Sequence, residues 1–310
     1  MERKIVGVVS GKGGVGKTSI TASLASLAKK DSIMKVIVLD CDVDAPNLAI
    51  ILPPAEDSKI DQKDTFTTLK SEFLEDLCNN CKECIDKNFC EFNALRWDSQ
   101  NSIPKIDFLK CEGCGSCKVL CPMHAFKITA VKSGEIISYT SKMGFPLIYG
   151  KTQLGSTTSG KLVSDSKEEV KNLNEYNESN LIFIDGPPGI GCPVIATLSN
   201  LDYVITICEP TPSGLHDLLR VIEVIRQFNL PFGILINKSD LKSPFQETFS
   251  KHMRDTNYEI LGKIPFDLSI PKAMSFAKPV VQYAPDSIAS LAIKEIYSNL
   301  KRKLWHSNLV

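Results

Sequence analysis

Clustered cysteines are the residues of this 310-residue chain whose spacing points most directly to chemistry, because eight of the eleven lie between Cys78 and Cys121. The later run reads C-x2-C-x2-C-x3-C and is followed by Pro122. Three thiolates at this spacing wrap three corners of one iron–sulfur cube, and the fourth cysteine of the run ligates the other cube. The pattern therefore predicts two [4Fe–4S] clusters. Their ligand sets are Cys78, Cys81, Cys84 and Cys121 for the first, and Cys90, Cys111, Cys114 and Cys117 for the second.

The earlier cysteine run departs from the pattern at its last position. Five residues rather than three separate Cys84 from Cys90, and Glu91 stands where proline usually follows. Zinc is the alternative occupant, but zinc sites use two separated C-x2-C pairs. Clustered thiols in a reducing compartment hold metal more often than they form disulfides. The spacing thus favours clusters over zinc. We expect a cytoplasmic protein because the first apolar run, residues 5–9, is too short for a signal sequence and leads into a motif that requires a preceding strand.

A phosphate-binding loop precedes the cysteines. The string GKGGVGKT fits G-x-x-x-x-G-K-[ST], with an apolar run before it and helical spacing of apolar residues after it. In such loops backbone N–H groups and a helix N-terminus surround the phosphates. Lys17 would reach the β- and γ-phosphates, and Thr18 would bind Mg²⁺. The predicted nucleotide-binding residues of this stretch are Gly11, Lys12, Gly13, Gly14, Val15, Gly16, Lys17, Thr18 and Ser19.

The additional lysine of the loop, Lys12, resembles the signature lysine of the superfamily that contains MinD, Mrp and the nitrogenase iron protein. The resemblance extends to two further segments, 40–48 and 185–191, which are similar to switch I and to Walker B with switch II. It implies an ATPase dimer, formed with itself or with a related ATPase, in which Lys12 contacts the partner's nucleotide. It also implies catalytic roles for Lys12, Lys17 and Asp42, Mg²⁺ binding by Asp42 and Asp185 together with Thr18, and a γ-phosphate contact from Gly189.

Two later segments resemble those that read the nucleotide base in this superfamily. Asn237 follows an apolar run and would read adenine, helped by Pro265 and Asp267 of the I-P-F-D segment. Taken alone, the sequence N-K-S-D at 237–240 also resembles the guanine-reading motif of GTPases. ATP is favoured, and GTP stays open at the level of sequence.

These groups require a scaffold of parallel strands. The first strand, the loop and the helix from Thr18 begin a βαβ unit, which builds a parallel sheet. We predict a doubly wound, mostly parallel α/β P-loop domain formed by residues 1–60 and 135–310, with an inserted α+β two-cluster ferredoxin-like domain over residues 61–134. Further strands are predicted from the apolar runs 36–39, 181–184, 203–207 and 232–236.

The charge balance bears on the class of partner. Lys and Arg together number 36, as do Asp and Glu, so there is no basic surplus and we expect no nucleic-acid partner. No apolar run reaches the length of a membrane span. The segment 291–304 is amphipathic, and we expect it to pack on the sheet rather than on a membrane.

Three functions are compatible with these motifs. The favoured one couples ATP hydrolysis to low-potential electron transfer with an unidentified protein partner, because eight ligands within one chain are typical of permanently bound clusters. The first alternative is a carrier that delivers clusters to a client, as Mrp-like proteins are thought to do. The second is a positioning or regulatory ATPase whose clusters sense redox state. A cluster shared across a dimer through Cys192 is a further, minority hypothesis.

Overall fold

The structure is a computed structural model that describes residues 1–156, 159–241 and 244–306. The strands are β1 Lys4–Ser10, β2 Val36–Asp40, β3 Asp61–Thr65, β4 Thr68–Phe73, β5 Leu95–Asp98, β6 Ile103–Ile106, β7 Phe126–Val131, β8 Gly134–Thr140, β9 Pro146–Thr152, β10 Leu181–Pro188, β11 Tyr203–Cys208, β12 Phe232–Asn237 and β13 Ile260–Ile264. The helices are α1 Lys17–Lys30, α2 Leu48–Ile51, α3 Glu83–Asp86, α4 Ser116–Leu120, α5 Ser159–Asn172, α6 Cys192–Leu198, α7 Pro212–Gln227, α8 Gln246–Asp255, α9 Ser269–Ser275, α10 Val280–Tyr283 and α11 Ile288–His306.

The described chain forms two compact units. Unit 1 contains residues 1–62, 136–151 and 163–310, and unit 2 contains residues 63–135 and 152–162. The second segment of unit 2 lies within the range that the sequence assigned to the nucleotide-binding domain. The helix α5 therefore begins in unit 2 and ends in unit 1.

The sheet of unit 1 confirms the predicted parallel α/β fold. Its strand order is β13-β12-β11-β1-β10-β2-β9-β8, and the pairs from β13 to β9 are parallel. All five residues of β2 and all six of β11 are buried, which is typical of strands covered on both faces. The strands β8 and β9 were not predicted, and they extend the sheet beyond β2.

Helices cover both faces of this sheet. Val6 and Val8 of β1 belong to a core that includes residues of α1 and α11. On the opposite face α6 packs on β10 and α7 packs on β11. In α11 the apolar side chains of Ile293, Ile296 and Leu300 are buried in the core, as expected for a helix packed on the sheet. Among the described helices, none is both long enough and apolar enough to cross a membrane.

Unit 2 is built from two antiparallel strand pairs, β4 with β7 and β5 with β6. The short helices α3 and α4 each lie within one of the cysteine runs. Its small core joins Phe89 and Phe126 to Cys84, Cys117 and Cys121. The cysteines thus supply much of the apolar interior of this unit.

Candidate functional site

The glycine-rich loop leads directly from β1 into α1. The hydroxyl of Ser10, the last residue of β1, donates to the carbonyl oxygen of Lys12 at 2.7 Å and accepts from Nζ of Lys17 at 2.9 Å. In the described part of the chain no side chain caps the N-terminus of α1. Its first backbone N–H groups therefore point to a place where an anion can bind.

The ammonium group of Lys17 is buried near three carboxylates. Burial lowers the pKa of Lys17, while attraction to Asp185, Asp42 and Asp40 opposes this shift. Asp40, the last residue of β2, lies in register with Asp185 of the neighbouring strand β10. Burial raises the pKa of Asp185 to about 6, and burial next to Asp185 raises the pKa of Asp40 well above its usual range. Burial also raises the pKa of Asp42.

The two buried aspartates have different hydrogen-bond partners. Asp40 accepts from the backbone N–H groups of Asp42, at 2.9 Å, and Leu48, at 3.0 Å, and so fixes the turn after β2. Asp185 accepts from the hydroxyl of Thr21 at 3.1 Å and also from Thr18. Its other oxygen, Oδ2, is buried without a hydrogen-bond partner among the described residues. A buried, unpartnered carboxylate oxygen is a favourable place for a cation or for water bound to a cation.

The predicted Walker B and switch II segment, residues 185–191, begins within β10 and continues beyond its end. The backbone N–H of Gly189 donates to the carbonyl oxygen of Ser10 at 2.9 Å. The segment is thereby joined to the strand that leads into the phosphate-binding loop. The contact of Gly189 with a γ-phosphate stays a prediction.

The two predicted base-reading segments lie together beside the loop. Asn237, at the end of β12, donates from Nδ2 to the carbonyl oxygen of Val15 at 2.7 Å and accepts from the N–H of Lys238 at 2.9 Å. The carboxylate of Asp240 accepts from the N–H of Phe266 at 2.7 Å. The structure therefore connects the base-reading segments to each other and to the phosphate-binding loop.

Two other residues predicted to contact the nucleotide, Asp267 and Ser19, have partners within the chain. Asp267 accepts from the N–H of Ser269 at 2.8 Å and from that of Ala289 at 3.1 Å, so it holds the starts of α9 and α11. Ser19 lies in the first turn of α1, where its hydroxyl contacts the sulfur of Met274 at 3.2 Å. Pro265, the third such residue, is half-buried. Their roles toward a nucleotide stay predictions.

Sequence reasoning missed two residues beside the loop, Glu209 and Ser213. Glu209 forms ion pairs with Lys12 at 3.7 Å and with Lys238 at 2.6 Å. The hydroxyl of Ser213 accepts from Nζ of Lys12 at 3.3 Å. Both residues belong to a segment, E-P-T-P-S-G-L at 209–215, whose sequence alone indicates no chemistry.

The eight clustered cysteines of unit 2 line two cavities. One is lined by Cys78, Cys81, Cys84 and Cys121, and the other by Cys90, Cys111, Cys114 and Cys117. The side chain of Phe89 lines both cavities. The fold therefore brings together the same two groups of cysteines that the spacing indicates, and it places the two cavities side by side.

Backbone N–H groups donate to cysteine sulfur atoms in both cavities. The N–H of Ser71 donates to Sγ of Cys111 at 3.3 Å, and the N–H of Ala94 donates to Sγ of Cys90 at 3.3 Å. In the other cavity the N–H of Asn80 donates to Sγ of Cys78 at 3.4 Å. Donors of this kind stabilise thiolates, which are the metal-binding form of cysteine.

The remaining cysteines lie in unit 1. Cys41 and Cys208 are buried, and burial raises the pKa of the Cys208 thiol to about 12. Cys192 is exposed at the first position of α6. Among the described residues, no three His, Cys, Asp or Glu side chains converge on a position for a single metal ion.

The sheet, the loop and the carboxylates near Lys17 define a P-loop nucleotide-binding protein. The chain belongs to the CobQ/CobB/MinD/ParA nucleotide-binding domain family, whose model matches residues 6–280. It is an ATPase of this family, as the sequence predicted.

Two relatives and one solved structure illustrate what this chain is similar to. The chain is 37% identical to an uncharacterized protein, MJ0578, of Methanocaldococcus jannaschii over 96% of both chains. It is 24% identical to an iron-sulfur cluster carrier protein of Pyrococcus furiosus, over 96% of this chain and 86% of the relative. The septum site-determining protein MinD of Pyrococcus horikoshii, solved with Mg-ADP, shares the fold with a TM-score of 0.59 and 18% identity over 100% of both chains.

Proposed function

We propose that this ATPase binds two [4Fe–4S] clusters in unit 2 and uses its nucleotide state to control low-potential electron transfer with a protein partner. The observation that carries this proposal is the pair of adjacent cavities, each lined by four cysteines and both lined by Phe89. Four ligands from the same chain at each cavity favour centres that stay bound while electrons pass. When bound, such clusters supply one-electron redox chemistry.

The residues present fit cubane clusters better than zinc. A tetrahedral zinc site with Zn–S bonds of 2.3 Å requires its four sulfur atoms to lie roughly 4 Å apart. The described cysteines do not converge in this way on a single ion. In a cubane each cysteine ligates a different iron atom, so the sulfur atoms stand farther apart around a shared cavity. The four-cysteine cavities and their N–H donors support this second arrangement.

The nucleotide site fits ATP with Mg²⁺. Thr18 and the carboxylates of Asp42 and Asp185 would hold Mg²⁺, directly or through water, and the ion would neutralise phosphate charge. The unpartnered oxygen of Asp185 supports this assignment. ATP is favoured over GTP because an oxygen of Asp240, the residue at the position that reads guanine in GTPases, already accepts from Phe266.

The residues of the chain then have separate roles in hydrolysis. Lys17 binds the β- and γ-phosphates, and Asp42 orients the attacking water. Gly189 senses the γ-phosphate, because its backbone N–H then donates to the phosphate in place of the carbonyl oxygen of Ser10. In a dimer, Lys12 completes the nucleotide site of the second protomer. Its ammonium group supplies positive charge where negative charge develops during hydrolysis.

Cluster delivery is the second candidate function. It is favoured by the name of the relative from P. furiosus, an iron-sulfur cluster carrier protein, which matches 96% of this chain. A carrier must release its cargo, whereas each cavity here has four cysteines of its own. We therefore place electron transfer first.

One anaerobic experiment separates the candidates. The protein is loaded with iron and sulfide, and its redox potential is measured with ATP, with ADP and without nucleotide, using Lys17→Ala as the control. Electron transfer predicts visible absorbance that dithionite bleaches and a potential that ATP shifts in wild type only. ATP-dependent transfer of clusters to an apo-ferredoxin would instead identify a carrier. A colourless, zinc-loaded protein would contradict both functions.

A further inference from the structure

We propose that Glu209 is a positioning residue that holds Lys12 within its own protomer and thereby opposes ATP-dependent dimerisation. The inference rests on the dimer of the proposed function, in which Lys12 must reach the nucleotide of a partner. It assigns a role to the E-P-T-P-S-G-L segment, for which the sequence alone indicates none.

The carboxylate of Glu209 lies between two lysines near the C-terminal ends of the parallel strands, where the nucleotide site lies. Glu209 directly follows β11 and is only 8% exposed. Its Oε2 lies 3.7 Å from Nζ of Lys12, and its Oε1 lies 2.6 Å from Nζ of Lys238. The ammonium group of Lys12 also donates to the hydroxyl of Ser213 at 3.3 Å. The lysine predicted to act on a partner therefore has two partners within its own chain.

The rest of the segment fixes Glu209 and Ser213 in place. The N–H of Thr211 donates to the carbonyl oxygen of Glu209 at 2.8 Å, and the hydroxyl of Thr211 caps α7 by accepting from the N–H of Gly214 at 3.0 Å. A Cβ atom at Gly214 would lie 2.3 Å from the carbonyl oxygen of Glu209, so only glycine allows this close approach. Pro212 begins α7, at a position that suits proline.

The second lysine makes the contact of Lys12 reversible. If Glu209 had Lys12 as its sole cation, departure of Lys12 would leave a buried charge unpaired, which is strongly unfavourable. Lys238 lies closer to the carboxylate and remains when Lys12 leaves. The phosphates of a partner's nucleotide carry more negative charge than one carboxylate and can therefore attract Lys12 away. The arrangement restrains dimerisation without preventing it.

Glu209→Gln tests the restraint because it removes the charge and keeps the shape. Dimerisation is measured by sedimentation velocity with a non-hydrolysable ATP analogue. Each protomer of a symmetric dimer releases one Lys12, so two ion pairs of modest strength predict a dimer dissociation constant lowered roughly two- to thirty-fold. Glu223→Gln, which changes an exposed glutamate of α7, is the matched control and should leave the constant unchanged.

A double-mutant cycle separates positioning from a general structural effect. In a Lys12→Ala background, Glu209→Gln should no longer change the dissociation constant, whereas a structural role would persist. Acylation of the nucleotide-free protein, followed by mass spectrometry, should show faster modification of Lys12 in Glu209→Gln than in wild type. If Glu209→Gln fails to fold, Ser213→Ala is used and should shift both readouts in the same direction, to a smaller extent.

The outcomes distinguish this inference from the proposed function. If wild type dimerises with the analogue and Glu209→Gln dimerises equally well or less well, the inference is overturned and the dimer stands. If wild type stays monomeric at every concentration, the dimer and the inference are both overturned. A shift that persists in the Lys12→Ala background would also overturn the role of Glu209 toward Lys12.

Discussion

The backbone N–H of Gly189 donates to the carbonyl oxygen of Ser10 over 2.9 Å. This hydrogen bond engages the group that we predict to contact the γ-phosphate. It also joins switch II to Ser10, whose hydroxyl accepts from Lys17. The hydrogen bond thus connects the two functional segments.

We expect ATP to replace this bond, since the N–H of Gly189 can serve one acceptor well at a time. Hydrogen exchange of residues 189–191 should therefore differ between the ATP-analogue and ADP states. Gly189→Ala should slow hydrolysis more than it weakens ADP binding, because Gly189 has a φ of 94°, which alanine disfavours. Equal exchange in both nucleotide states would contradict the role of Gly189 as a sensor.

Alanine substitutions of the two lysines of the loop should affect different steps, hydrolysis for Lys17 and dimerisation for Lys12. Lys17→Ala removes the buried ammonium group at the phosphates, so turnover should fall on the order of 10²-fold or more, measured as phosphate release. Lys12→Ala should retain ADP binding in titration calorimetry and should dimerise with the ATP analogue more weakly than wild type, with a larger but still measurable dissociation constant. A Lys12→Ala protein that dimerises normally would contradict the predicted contact with a partner's nucleotide.

Iron content tests the two cysteine cavities separately. Cys121→Ser affects the first cavity and Cys90→Ser the second, so each variant should lose about half of the bound iron while the other centre keeps its electron paramagnetic resonance signal. Cys192→Ser is the matched control in unit 1. An unchanged iron content per dimer in this variant would rule out a cluster shared through Cys192.

Lys167 provides a pH-dependent test of unit 1. Its ammonium group donates to the carbonyl oxygens of Ala196, at 3.2 Å, and Thr197, at 2.9 Å, and so holds the end of α6. Burial lowers the pKa of Lys167 from 10.5 to about 8. Between these two pH values Lys167 is protonated in the unfolded chain and neutral in the folded chain. The free energy of unfolding therefore increases as pH rises through this range.

The difference in unfolding free energy between wild type and Lys167→Met should therefore increase from pH 8 to 10.5, measured by chemical denaturation at several pH values. Lys171→Met, which changes an exposed lysine of the same helix paired with Glu168, is the control. A difference that stays constant with pH would show that Lys167 does not titrate in this range.

The sequence indicated those features that rest on local pattern. Parallel strands buried on both faces give continuous apolar runs. The runs predicted for β2, β11 and β12 agree with these strands to within one residue at each end, whereas β10 continues beyond its predicted end to Pro188. The strands β8 and β9 mix polar with apolar residues, so their pattern did not distinguish them from loops. The ion pairs of Glu209 could not be predicted from the sequence either. Its partners Lys12 and Lys238 are distant in the chain and lie next to it only because β1, β11 and β12 are neighbours in the sheet.

The division of unit 2 between residues 63–135 and 152–162 has a consequence for how such a module is inherited or engineered. Its chain enters and leaves twice, so a single pair of cuts cannot excise it whole. A graft onto a plain nucleotide-binding scaffold must carry both segments together, along with the first turn of α5. Any recombination that moves only the cysteine-rich stretch leaves part of the module behind.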